Sequence, residues 1–368
     1  MTQALFYYKI LLIMKVFLTE FHYKKEYKNT ADVLTAVFLY ALLAFPSLVY
    51  FFIVKVRNFC YDKNILKSFK PRVYTISVGN LTTGGTGKTP ITAEIANYLS
   101  KKGERTTILS RGYGGKLPNK KVNVISDGTN INYDASMAGD EPYWLAKHCP
   151  KTSVLTCSNR IQSAKYAQSH LKATRLILDD GYQHRKIQRD LNLLVVDAQK
   201  QFSNGCVLPL GALREPLSGI NRADKIIVVN KSLNDKHART YARYLRKTYK
   251  KPSFVCSMVP DVIYNIKTEE PIADNAPVIA FSAIGQPEQF YNFLRRFDVM
   301  ETKNFPDHHM YTADDIKELQ LLAQKYGATA MITTEKDAVK LKEFSSCFDN
   351  IYALKLKPTL DLKNILEE

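Results

Sequence analysis

The chain has 368 residues, of which 45% are hydrophobic and 24% charged. That balance supports a large core and two domains, and it excludes an intrinsically disordered chain. Its six cysteines contain no CxxC pair, so neither a zinc motif nor a disulfide framework is expected.

The net charge of +17 suits an anionic membrane, an anionic substrate or nucleic acid. Nucleic acid has the least support. No zinc-finger, homeodomain or RNP motif occurs, and one tryptophan leaves little for a base-stacking platform. No nucleic-acid partner and no obligate protein partner are inferred.

Residues 1–32 read as an N-terminal extension. Val33 to Val54 then contains no charged residue. As a helix these residues would span roughly 33 Å, enough to cross a bilayer core. Pro46 is expected to kink it. Lys55, Arg57, Lys63, Lys67, Lys70 and Arg72 follow directly, which suits anionic headgroups. Basic residues flank both ends, so the positive-inside rule gives no clean orientation, and whether the segment spans or lies in one leaflet stays open. Residues 33–71 are taken as a membrane-associated helix and basic linker. No A-x-A site follows the apolar run, so a cleaved signal peptide is not expected.

From Arg72 onward, short apolar runs alternate with helical stretches. Strands are expected at Val73–Val78, Thr106–Leu109, Ser153–Thr156, Leu176–Leu178, Leu193–Val196 and Ile226–Val229. Helices are expected at Lys88–Lys102, Glu141–His148 and Arg160–Leu171. Such alternation indicates an α/β fold, a parallel sheet with helices on both faces. A second, smaller α/β group has strands at Phe254–Val259, Val278–Phe281 and Ala330–Thr333. Its helices fall at Pro287–Phe297 and Ala313–Tyr326. The polar stretch Ser232–Lys251 reads as the boundary, giving domains 72–232 and 233–368.

The first strand runs into Thr82-Thr83-Gly84-Gly85-Thr86-Gly87-Lys88-Thr89, which opens a helix. Strand, glycine-rich loop, Lys-Thr, helix is the context of a phosphate-binding P-loop. The glycines let backbone N–H groups turn toward phosphate oxygens, and the helix N-terminus adds positive potential. Lys88 can reach the outer phosphates, and the Thr89 hydroxyl can ligate Mg²⁺. The usual first glycine is Thr82. Asn230-Lys231-Ser232-Leu233 has leucine where a guanine-reading loop needs aspartate, so GTP is not expected. Thr83 stands where partition-type ATPases carry an extra lysine. Both departures favour a kinase over a switch protein.

Asp179 and Asp180 follow an apolar strand, the way a neighbouring strand presents acids to Mg²⁺. Asp197 ends another strand. Asp140, in Gly139-Asp140-Glu141-Pro142, reads first as a helix N-cap. His308 and His309 are the only paired histidines. An aspartate beside an imidazole can supply a base near neutrality.

These residues occur within an ordered series of motifs. They are Val78–Pro90, Ser110–Gly115, Ala138–Pro142, Asp179–His184, Leu208–Pro216, Asp307-His308 and Thr333–Ala338. The series resembles the tetraacyldisaccharide 4′-kinase family over about residues 40–345. The resemblance implies a membrane-associated P-loop kinase that transfers the γ-phosphoryl group of ATP, with Mg²⁺, to the 4′-hydroxyl of tetraacyldisaccharide 1-phosphate. It implies that Thr82 to Thr89 bind ATP and that Asp140 and His308 form a catalytic pair with Lys88 beside them. Thr89, Asp179, Asp180 and Glu215 are implied near Mg²⁺ and the phosphates. Arg111, Arg160, Gln183, His184 and Arg214 match polar positions in or near the site. Asp140 and His308 fall in separate α/β units, so domain closure is expected to assemble them. A body on the cytoplasmic side of the inner membrane follows from the same resemblance. The competing expectation is a membrane-tethered NTPase that acts as a switch or assembly factor.

Overall fold

The computed structural model describes residues 30–272, 276–285, 287–306 and 309–367. They form two compact units. The first comprises residues up to Val229, together with Ala238–Val255 and Leu362–Glu368; the second comprises Asn230–His237 and Cys256–Asp361.

The first unit begins with helix α1 (Thr30–Asp62), which runs through Pro46 and is longer than the uncharged segment alone. Its elements continue as β1 (Tyr74–Gly79), α2 (Lys88–Lys101), β2 (Thr106–Ser110), β3 (Asn123–Asp127), α3 (Asp140–His148), β4 (Ser153–Thr156), α4 (Arg160–Ser169), β5 (Arg175–Asp179), β6 (Leu191–Asp197), β7 (Lys225–Asn230) and α5 (Lys236–Tyr249). The strands lie in the order β7-β6-β1-β5-β2-β4-β3. Pairing is parallel from β7 to β4, and β3 joins β4 antiparallel.

Ile76, Val78, Leu176, Ile177, Leu193 and Leu194 are all fully buried. Sequestering side chains of this size contributes about 1.5–3 kcal/mol each relative to leaving them exposed. Because β1, β2, β5 and β6 run parallel, their C-terminal residues Gly79, Ser110, Asp179 and Asp197 share one end of the sheet. That is where ligands collect in open α/β sheets.

Two elements of this unit escape the sequence reading. β3 is a short edge strand whose Asn, Ser and Asp disguise it. The stretch 232–251, expected to be a boundary, contains helix α5. Its polar majority hides Ala238, Tyr241, Ala242 and Leu245, which recur at helical spacing and pack with Ile226 and Val228.

The second unit contains β8 (Ser253–Asn265), β9 (Pro277–Ser282), α6 (Pro287–Phe293), β10 (Asp298–Asn304), α7 (Ala313–Tyr326), β11 (Ala330–Thr334), α8 (Glu335–Leu341) and β12 (Ile351–Thr359). The order is β10-β9-β11-β12-β8, parallel except for the β12–β8 pair. Thr312 and Asp315 close a capping box at the start of α7, as their spacing suggests. β10 goes unread because its sequence, DVMETKN, alternates exposed and half-buried positions without an apolar run.

Candidate functional site

Between β1 and α2 the chain forms the phosphate loop. Gly87 precedes α2 with φ of 86°, a left-handed conformation that suits glycine, and no side chain caps the helix there. The first N–H groups of α2 therefore remain available to an anion. The Thr86 hydroxyl is buried without a hydrogen-bond partner, and Gly84 and Gly85 stand in open space.

The start of the loop is held by a second segment, residues 212–214. The Thr83 amide donates to the Ala212 carbonyl at 2.8 Å, and the Arg214 amide donates to the Leu81 carbonyl at 2.7 Å. Thr82 bridges to Leu213 in the same short ladder. Asn80 Nδ2 donates to the Thr82 carbonyl at 2.7 Å.

Acids from the end of β5 face this loop. Asp180 adopts φ of 49°. Its carboxylate lies 3.6 Å from Lys88 Nζ and accepts from Arg214 Nη1 at 3.0 and 2.7 Å. Burial works against its charge, but Lys88 and Arg214 prevail and hold it below the usual carboxylate range. Asp179 is buried and accepts from the Thr92 hydroxyl at 3.1 Å. Burial, then Glu141 and Asp180, push its carboxyl up to about 7. Arg160 is buried beneath the same strand end, donating Nη2 to the Asp179 carbonyl at 2.8 Å.

Glu215, expected beside the metal, has other partners. It is fully buried. Its carboxylate accepts from Arg222 Nη2 at 2.7 Å on both oxygens, from Gln183 Nε2 at 2.9 Å and from Asn58 Nδ2 at 2.9 Å. Both oxygens thus serve three side chains, through which Glu215 braces the site. Gln183 also donates to the Asn80 carbonyl at 2.8 Å, next to the phosphate loop.

His184 is half-buried, and its pKa is lowered to about 4 by burial and then by the charge of Arg160. It is neutral at physiological pH. Arg111 is exposed just beyond β2. Asp140 is exposed in the first turn of α3, where Gly139 and not Asp140 occupies the N-cap position. Asp307 and His308 lie outside the described residues. Their neighbour His309 is committed elsewhere: Nε2 is 2.9 Å from Asp315 Oδ2, and the ring stacks on Phe305.

Thr92, Arg222 and Asn58 are missing from the residues that the sequence singles out. Thr92 was within reach of the sequence reading, because it lies one turn beyond Lys88 on the same face of α2. The others become legible only when the chain folds.

A lysine and a bare helix N-terminus behind a glycine-rich loop, with acids delivered by the neighbouring parallel strand, define a P-loop nucleotide enzyme. Residues 39–368 match the family described as tetraacyldisaccharide-1-P 4′-kinase. A tetraacyldisaccharide 4′-kinase of Halothermothrix orenii is 34% identical, over 89% of this chain and 92% of that one. One from Desulfotalea psychrophila is 39% identical, over 82% of this chain and 87% of that one. The crystal structure of LpxK from Aquifex aeolicus in complex with ATP matches with a TM-score of 0.69 and 33% identity, covering 89% and 97% of the two chains. The chain belongs to the tetraacyldisaccharide 4′-kinase family, and it is a kinase.

Proposed function

We propose that the protein transfers the γ-phosphoryl group of ATP to the 4′-hydroxyl of tetraacyldisaccharide 1-phosphate, at the cytoplasmic surface of the inner membrane. The observation that carries this reading is the Lys88–Asp180 pair at 3.6 Å, beside a phosphate loop whose Thr86 hydroxyl is buried and unpartnered. A phosphate oxygen supplies the missing partner.

Thr82 to Thr89 bind the triphosphate, and Lys88 neutralises charge on the outer phosphates. Mg²⁺ fits this donor set. Among the described residues no cluster of three histidine, cysteine or acidic side chains could hold a metal ion. Thr89, Asp179 and Asp180 would hold the ion, with phosphate and water oxygens completing its shell. When bound, the ion neutralises phosphate charge. The sugar oxygen attacks the γ-phosphorus as the bond to the β–γ bridging oxygen breaks. ADP leaves, and the hydroxyl proton passes to Asp140, with His308 as its imidazole partner. Arg111 and His184 offer polar groups to the sugar phosphate, and Arg160 adds positive potential from below. Asp140→Ala that turned over labelled ATP and the lipid acceptor at the full rate would remove Asp140 from this role.

Helix α1 supports the membrane reading. It is long and apolar enough to cross a bilayer. Phe45, Leu48, Phe52, Ile53, Val56 and Phe59 are exposed on it. Ser47, Tyr50 and Asn58, however, are hydrogen-bonded to residues 207–215 of the catalytic unit. We read the helix as lying in the bilayer surface with its outer face in lipid, and Lys55, Lys63 and Lys67 near anionic headgroups. A four-chain lipid substrate is presented at that surface.

A further inference from the structure

Three polar side chains of α1 share one helical face and grip a single segment of the catalytic unit. Ser47 Oγ donates to the Val207 carbonyl at 2.9 Å. The Tyr50 hydroxyl donates to the Arg214 carbonyl at 2.7 Å. Asn58 Nδ2 donates to the Glu215 carboxylate at 2.9 Å. Val207 itself bridges to Leu213. The gripped segment is the one that pairs with the start of the phosphate loop, through Ala212, Leu213 and Arg214. Its Arg214 guanidinium is also the group that holds Asp180 beside Lys88.

A hydrophobic anchor needs none of this. An apolar helix would hold to a bilayer equally well if it were joined to the body by a linker. Here Tyr50 and Asn58 contact consecutive residues from different turns of the helix, and those residues reach both sides of the phosphate site. Glu215 extends the connection through Gln183 to the Asn80 carbonyl, at the exit of β1.

We propose that Tyr50 and Asn58 are positioning residues: they carry the seating of α1 on an anionic lipid surface to the Arg214–Asp180–Lys88 group, so that phosphoryl transfer is faster at the surface than off it. The inference rests on the membrane reading above. Tyr50 and Asn58 fix the backbone of Arg214 and the carboxylate of Glu215, and misplacement of such supports lowers the rate without emptying the binding site.

The test uses the full chain with Mg-ATP and the lipid acceptor, with and without vesicles of phosphatidylglycerol and phosphatidylethanolamine. Co-sedimentation and thermal unfolding are measured alongside. The wild-type protein sediments with the vesicles and is accelerated by them. Tyr50→Phe and Asn58→Ala sediment equally, and KM for ATP changes little. Their kcat on vesicles falls roughly tenfold, with the acceleration lost; Asn58→Gln restores part of it. Phe52→Asp, on the exposed face, loses sedimentation and acceleration together. Wild-type protein that fails to sediment overturns the membrane reading itself. Wild-type protein that sediments without acceleration overturns the coupling alone. So do Tyr50→Phe and Asn58→Ala variants that remain fully accelerated. Equal losses in rate and in unfolding temperature, with no recovery by Asn58→Gln, reduce the contacts to packing and also overturn it.

Discussion

Arg214 donates one nitrogen to both carboxylate oxygens of Asp180, at 3.0 and 2.7 Å, while Lys88 approaches the same carboxylate to 3.6 Å. Two cations thus share one anion at the mouth of the phosphate loop. When a triphosphate arrives, Lys88 gains a second anionic partner, and Arg214 keeps Asp180 in place. Asp180→Asn removes the shared charge, and kcat is expected to fall at least about a hundredfold. Arg214→Lys keeps the charge but loses the planar donor geometry, so lysine is expected to restore only a small part of the activity. Steady-state kinetics with ATP and the lipid acceptor check both.

Asp179 gives a pH prediction with a definite sign. Its folded pKa is raised to about 7 by burial, then by Glu141 and Asp180. The folded protein therefore binds this proton more readily than the unfolded chain. The associated stability is fully present below the ordinary carboxylate range and is lost as pH rises through about 7. Asp179→Asn mimics the protonated form. Without Mg²⁺ and nucleotide, it is expected to unfold at a higher temperature than the wild type at pH 8. The two should converge near pH 4. Thermal unfolding in chelator across that range checks this, and the variant should lose kinase activity.

Gly115 lies against the turn that delivers Asp140. A Cβ there would sit 2.6 Å from the Met137 carbonyl oxygen and 2.7 Å from the Ala138 backbone. The neighbour is backbone and has little room to yield. Gly115→Ala is expected to destabilise the fold by about 1–3 kcal/mol. It should also slow turnover, because residues 137–139 lead directly into α3. Denaturant unfolding and kcat measured on the same preparation check the two effects.

The phosphate loop and the Asp179–Asp180 pair could be read from sequence because the chemistry is local: an apolar strand, a glycine-rich turn and the start of a helix are contiguous. The parallel core was legible for the same reason. Ile76 in β1, Ile177 in β5 and Val195 and Val196 in β6 sit in short runs rich in apolar and β-branched residues. Helix α5 was not legible, because four buried residues in a charged stretch look like a linker until their spacing is counted. The surroundings of Glu215 were not legible for a different reason. Its motif places it near the site, but its partners Asn58, Gln183 and Arg222 are far apart in sequence and meet only in the fold. Ser47, Tyr50 and Asn58 were hidden within or just beyond an apolar segment whose composition speaks only of lipid.

The most direct test of the account is transfer of label from γ-labelled ATP to tetraacyldisaccharide 1-phosphate by the purified chain with Mg²⁺, run beside Lys88→Ala. The account predicts a labelled lipid with the wild-type protein and almost none with the variant. Label released only as inorganic phosphate at a rate indifferent to the lipid, or lipid labelling that survives loss of Lys88, would contradict it.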